Sequence, residues 1–239
     1  MKPSIKQNSK YHIIYDADVA SMVTPDWFSS DFWQNRNAIS GQATGRGTTW
    51  FINQGRKEWV LRHYRRGGLV ASLLEDRYLW TGLEKTRPWQ EWNLLSHMFQ
   101  LSLPVPQPIA AMVERDRLIY RADILSFKIP NTQSLAQRLT QGFLDLSAWR
   151  RIGQTIGRFH QAGIYHADLN AHNILLDSKD RVYLIDFDRG EVRPRGTWEK
   201  KNLDRLIRSL LKLDKFYNGK FYFKESDWRV LSKNCAKLS

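Results

Sequence analysis

The stretch from Gly163 to Gly190, GIYHADLNAHNILLDSKDRVYLIDFDRG, constrains this chain more than any other part of it. The apolar runs that begin at Asn173 and Val182 are rich in strand-forming residues, and Asp177-Ser-Lys-Asp between them has turn chemistry, so a hairpin is expected. Asp168 then falls in the loop before the first strand, and Asp186 and Asp188 fall at the end of the second. A buried strand that closes on Asp-Phe-Asp is costly unless its carboxylates meet a cation or hydrogen-bond donors. Asp168, Asn173, Asp186 and Asp188 together make a metal site the economical explanation.

At 239 residues the chain can bury a substantial core, as one large domain or two small lobes. No run approaches the roughly 18 apolar residues of a spanning helix. The first residues, MKPSIKQNSK, are polar where a signal peptide has its apolar core, so the protein is expected to stay in the cytosol. The single cysteine, Cys235, excludes an intramolecular disulfide. A net charge of +13 draws in anionic partners such as nucleic acid, an anionic membrane or a phosphorylated substrate. Zinc-knuckle spacing, a basic heptad region and a ribonucleoprotein strand motif are all missing, so no specific nucleic-acid partner is expected.

Along the chain, residues 1–40 mix short β-like pieces with polar stretches and carry no assignable chemistry. Gly45 and Gly47 punctuate a turn before a β-prone segment. They suit either an ordinary hairpin or a loop whose amides approach a phosphate. A strand follows at Trp59-Val-Leu-Arg62, then a basic loop through Arg65, Arg66, Gly67 and Gly68. Trp89, Trp92, Leu95 and Met98 recur at helical spacing after Pro88, which places Glu91 on an amphipathic helix. Beyond the proline-rich 103–108 segment, Ile109–Val113 and Leu118–Leu125 read as antiparallel strands turning at 114–117. Helices are expected over 134–139 and 144–162, with Gly163 as the stop of the second. Arg189, Arg193, Arg195, Arg205 and Arg208 form a basic cluster after the acidic hairpin, partly on a helix through Leu203–Leu211.

HADLNAHN at 166–173 resembles the protein-kinase catalytic loop, and Asp186-Phe-Asp188 resembles the kinase Asp-Phe-Gly motif. Either fragment is weak by itself; the ordered pair separated by one hairpin is specific. The resemblance implies an α+β, protein-kinase-like bilobal fold. Its N-lobe, residues 1–123, has an antiparallel sheet and one main helix. Its C-lobe, residues 124–239, is reduced and mainly helical and carries the catalytic hairpin. The interlobe hinge is expected around Arg121–Ser126. Asp168 becomes the catalytic base, and Asn173 and Asp186 hold Mg2+. Gly45 and Gly47 cover the ATP phosphates, and Arg62, aligned by Glu91, takes the place of the usual phosphate-holding lysine. His166 acts as a scaffold. Asp188 stands where the kinase motif has glycine, and either adds a metal ligand or hydrogen-bonds within its turn. The short chain after this motif lacks Ala-Pro-Glu, which argues for a small-molecule or lipid-sugar acceptor.

The fuller set GRGTTWF, WVLRHYRRGG, LPVPQPIAA, LIYRADIL, GRFHQAGIYHADLNAHNILLD and IDFDRG is similar to the lipopolysaccharide kinase family of Gram-negative bacteria, above all its 3-deoxy-D-manno-octulosonic acid (Kdo) kinases. That resemblance implies ATP-dependent phosphorylation of the 4-hydroxyl of Kdo on a Kdo-lipid A (lipid IVA) precursor, by a protein peripheral to the cytoplasmic face of the inner membrane. An anionic membrane surface suits the basic composition. The alternatives are a kinase of another acceptor, such as a core heptose, and an inactive kinase-like binding module.

Overall fold

The computed structural model describes residues 1–44, 48–65 and 76–236. Two compact units emerge, one of residues 1–100 and 106–128 and the other of residues 101–105 and 129–239. The sequence alone placed the boundary after Asp123.

The first unit is an antiparallel sheet. Its strands are β1 (Pro3–Gln7), β2 (Tyr11–Asp16), β3 (Ile39–Thr44), β4 (Thr48–Gln54), β5 (Lys57–His63), β6 (Tyr78–Leu79), β7 (Pro108–Asp116) and β8 (Ile119–Phe127). The main path runs β1-β2-β7-β8-β5-β4-β3, with β6 paired to β8. The N-terminal residues, for which sequence gave no role, extend the sheet through the pairing of β2 with β7. One core gathers Ile13, Trp33, Ile52, Trp59, Leu61, Ile109 and Leu125, with Trp27 and Phe127 packed against it. Trp33 meets Trp59 edge-on at 5.8 Å, so several of the abundant tryptophans are core residues.

After the short α1 (Ser30–Gln34), helix α2 (Arg87–Gln100) carries Pro88 in its first turn and buries Trp89, Trp92, Leu95 and Met98, as their spacing requires. Glu91 is buried with them.

The expected hinge at Arg121–Ser126 is overturned. These residues lie inside β8, bonded on one side to β7 and on the other to β5. Ala122, Asp123, Ile124 and Leu125 are all buried, the signature of a central strand covered on both faces rather than of a connector.

In the second unit, α3 (Leu135–Gln141) starts from a reciprocal capping box between Ser134 and Gln137, and α4 (Leu146–Gln161) starts from Asp145, whose carboxylate accepts from the Ala148 amide at 2.7 Å. Helix α4 packs on α6 (Glu225–Ala236) so closely at Gly153 that a Cβ there would sit 2.2 Å from the Leu231 carbonyl oxygen. Gly163, at φ +71°, turns the chain out of α4 into β10 (Ile164–Tyr165), which pairs with β13 (Glu191–Val192). A Cβ at Gly163 would meet the Arg193 carbonyl oxygen at 2.6 Å, so both the backbone angle and the space require glycine.

The expected hairpin is present as β11 (Ile174–Asp177) and β12 (Val182–Leu184), with β9 (Thr132–Ser134) on its other edge. Asp177 builds the turn, since its carboxylate accepts from the Lys179 and Arg181 amides at 2.9 Å each. Helix α5 (Trp198–Tyr217) follows. Among the described residues no helix is long and apolar enough to cross a membrane.

Candidate active site

In the second unit, the loop between β10 and β11 is fixed by its own side chains. The buried His166 ring donates from Nε2 to the Ile185 carbonyl at 3.0 Å and accepts at Nδ1 from the Asp168 amide at 3.1 Å. That pairing selects the neutral tautomer protonated at Nε2. Burial also lowers the imidazole's pKa and keeps it uncharged. His166 is therefore a brace between the loop and the strand end that carries Asp186. Its ring lies 4.6 Å from that of Phe187, which in turn stacks on Phe159 at 5.7 Å. The Asp-Phe-Asp segment is thus pinned at its middle residue, which is fully buried.

The Asp168 carbonyl accepts from the side-chain amides of Asn170 at 3.0 Å and Asn173 at 2.9 Å. The Asn173 carbonyl accepts from the Ile185 amide at 3.1 Å, so the loop and the strand end are tied at both ends. Because the Asn173 amide nitrogen is committed to Asp168, its oxygen is the atom left for a cation. Asp186, exposed, follows Ile185 with φ at +63°. Asp188 lies in the turn closed by the Gly190 amide on the Phe187 carbonyl at 2.7 Å.

An amide oxygen and a carboxylate are the hard donors Mg2+ favours, and that ion completes its shell with phosphate oxygens and water. Asn173 and Asp186 fit such a shared site. Among the described residues no three His, Cys, Asp or Glu side chains cluster into a protein-only cage. A cation held here would share its ligands with a substrate.

Helix α5 also reaches this loop, where Ser209 accepts from the Ala171 amide at 3.2 Å. Asn202, buried, brackets His166 by accepting from its amide at 3.3 Å and donating to its carbonyl at 2.8 Å. Arg205 donates to the Asp168 carboxylate at 3.0 Å. None of these contacts was foreseen, because α5 follows the loop at a distance in sequence with no spacing signal to link them. Two other arginines of the expected basic cluster are drawn to nearby acids, Arg193 to Glu191 and Arg195 to Glu199.

In the first unit, Arg62 on β5 and Glu91 on α2 meet as an ion pair, with Nη2 2.5 Å from both carboxylate oxygens. Tyr64 donates its hydroxyl to Glu91 and carries the Arg62 guanidinium over its ring, 4.7 Å from the centroid. Tyr64 was missed, although its place two residues beyond Arg62 puts it on the same side of an extended chain. Gly45 and Gly47 lie outside the described residues, as do Arg66, Gly67 and Gly68; β3 and β4 on either side of the glycine pair run antiparallel.

Beside Arg62, His63 donates to the buried Asp123 at 2.8 Å, with Asp76 at 3.6 Å from its other nitrogen. The Asp123 hydrogen bond raises the His63 pKa above 6.5, supported by the charges of Asp123 and Asp76 and opposed by burial and Arg65. Burial raises the Asp123 pKa as well. A histidine raised on folding stabilises fully below its unfolded value of about 6.5, and that stability is lost as pH climbs through the raised value. The contribution of His63 to the urea midpoint should therefore fall between pH 6 and pH 8, and His63→Gln, which removes that contribution, should make the slope of midpoint against pH less negative than in the wild type. An unchanged slope in the variant would refute the assignment.

Residues 30–234 match the lipopolysaccharide kinase (Kdo/WaaP) family. The chain is 41% identical to the 3-deoxy-D-manno-octulosonic acid kinase of Vibrio parahaemolyticus over 232 residues, covering 97% of each protein. It is 46% identical to the enzyme of the same name from Vibrio cholerae over 182 residues, 76% of this chain and 77% of that protein. For the Stenotrophomonas maltophilia protein of that name the identity is 44% over 202 residues, 84% of this chain and 80% of the relative.

Proposed function

Because this chain belongs to the lipopolysaccharide kinase (Kdo/WaaP) family, and is a phosphotransferase that passes the phosphate of ATP to an alcohol group, we propose that its acceptor is Kdo carried on a lipid A precursor. The reaction proposed is phosphorylation of the Kdo 4-hydroxyl. The observation that carries a catalytic reading is the loop at 166–173, where the Asp168 backbone is held at both its amide and its carbonyl while its carboxylate stays accessible at 42% exposure.

In this reading the Asp168 carboxylate accepts a hydrogen bond from the acceptor hydroxyl, orients its oxygen for in-line attack and takes its proton. Arg205 holds that carboxylate in place. Arg62 binds nucleotide phosphates with its guanidinium set by Glu91 and Tyr64. A planar fork replaces the point charge of a lysine at this position. Asn173 and Asp186 would hold Mg2+, which when bound neutralises charge on the phosphate oxygens. The protein's own contribution is mainly positioning, which suits phosphoryl transfer.

The acceptor makes the proposed setting a membrane one: a peripheral position at the cytoplasmic face of the bacterial inner membrane, supported by the net charge of +13. Competition between purified Kdo-lipid A precursor and heptose-bearing acceptors for ATP-derived phosphate tests the assignment. Transfer to Kdo, with the phosphate located at the 4-position by phosphorus–proton correlation NMR, is expected. Preferential transfer to heptose would replace the proposed acceptor, and absence of transfer to any acceptor would favour a binding module.

A further inference from the structure

Helix α5 carries six cations, Lys200, Lys201, Arg205, Arg208, Lys212 and Lys215, and all of them are exposed. Its three acids, Glu199, Asp204 and Asp214, are half-buried, and Glu199 is engaged by Arg195 at 3.0 Å. From Lys201 to Lys215, five of the cations follow spacings of four, three, four and three residues. On an α-helix that pattern confines them to an arc of about 80°. The opposite side is buried through Trp198, Asn202, Leu206 and Leu210, so the stripe faces outward.

Apolar side chains flank the stripe. Leu211 and Phe216 are 53% and 76% exposed, and Tyr217 closes the helix at 36%. Cations in a row with an aliphatic and an aromatic rim match an anionic bilayer surface, where the cations meet headgroup phosphates and the rim enters the interfacial layer. A helix face built for the phosphates of a duplex would gain nothing from an exposed Phe216 and Leu211. Arg205, on the same stripe, contacts Asp168 at 3.0 Å. From there to Phe216 the helix rises about 16 Å, so one element links the proposed base to the apolar rim.

We propose that the outer face of α5 is the docking surface for an anionic phospholipid bilayer, seated so that a lipid-borne sugar acceptor is presented beside Asp168. This rests on the reading of the chain as a kinase of a lipid-linked acceptor.

The test is co-sedimentation of the full chain with phosphatidylcholine vesicles, with and without phosphatidylglycerol. The wild type should bind the anionic vesicles and not the neutral ones. Lys212→Gln/Lys215→Gln should weaken partitioning about thirtyfold, at about fivefold per cation, and Phe216→Ser should weaken it about tenfold. A control removing two exposed cations elsewhere, Lys57→Gln/Lys179→Gln, should change it little. Both α5 variants should phosphorylate a deacylated, soluble Kdo acceptor at the wild-type rate and an acceptor embedded in anionic vesicles more slowly. Equal losses in the control and in the α5 variants would reduce the stripe to a solvated face and overturn the proposal. So would tighter wild-type binding to duplex nucleic acid than to anionic vesicles. Failure of the wild type to phosphorylate even the deacylated acceptor would contradict the kinase reading, and the vesicle measurements would still decide the docking surface.

Discussion

Asp168→Asn and Asp186→Asn should each lower phosphate transfer by about a hundredfold or more, the usual consequence of losing a proton acceptor or a preorganised electrostatic contact. Both variants should remain folded. At Asp168 the structural bonds run through the backbone, from its amide to His166 and from the Asn170 and Asn173 side chains to its carbonyl, and asparagine preserves them all. What changes is the carboxylate that faces Arg205. At Asp186 the backbone stands at φ +63°, which asparagine tolerates as well as aspartate, whereas alanine would add strain and confuse the result. Thermal melts of the two asparagine variants should overlay that of the wild type. Near-normal turnover in either one would remove that residue from its assigned role.

Arg62→Met should damage both stability and turnover. Glu91 is only 3% exposed, and with Arg62 gone its carboxylate keeps the Tyr64 hydroxyl but loses the guanidinium that bonds both of its oxygens. Stripping one partner from a buried pair costs about 3 kcal/mol or more. The low end applies here, since Arg62 itself is 24% exposed. The double variant Arg62→Met/Glu91→Leu separates the two effects. Replacing both charges by apolar side chains should restore most of the melting temperature, because no unpaired charge is left buried. Activity should stay lost if Arg62 binds nucleotide phosphates. Activity that returns together with stability would make the pair purely structural. Arg62→Lys is informative beside these: a lysine retains the charge but cannot reproduce the guanidinium fork or its stacking on Tyr64.

How much of this was legible in the sequence depended on the range over which each signal acts. The hairpin of β11 and β12 was readable because strand-forming runs flank Asp177-Ser-Lys-Asp, and the structure builds the turn on the Asp177 carboxylate. Helix α2 was readable from its apolar spacing. The Arg62–Glu91 contact bridges a strand and a helix, so no local pattern encodes it; kinase resemblance suggested the partners, and the structure brings them together at 2.5 Å. Without that help Tyr64 and Asn202 went unassigned for the same reason, and Arg205 was read only as one of a basic cluster. Each touches a residue distant in sequence, and nothing in its own neighbourhood distinguishes it from other polar side chains.

The misplaced hinge shows the opposite failure. The kinase resemblance set the hinge at the end of the strand read as Leu118–Leu125, around Arg121–Ser126. Yet Asp123 is buried against His63, and the segment is bonded on both sides.

The brace of His166, the amide of Asn173 and the guanidinium of Arg205 all converge on Asp168. The most direct measurement follows the γ-phosphate of labelled ATP with purified Kdo-lipid A precursor, the wild-type chain and Asp168→Asn in parallel. Label should appear in the Kdo residue with the wild type and be reduced at least about a hundredfold with the variant. Wild-type protein that leaves the Kdo unlabelled, or Asp168→Asn protein that labels it as well as the wild type, would contradict the account.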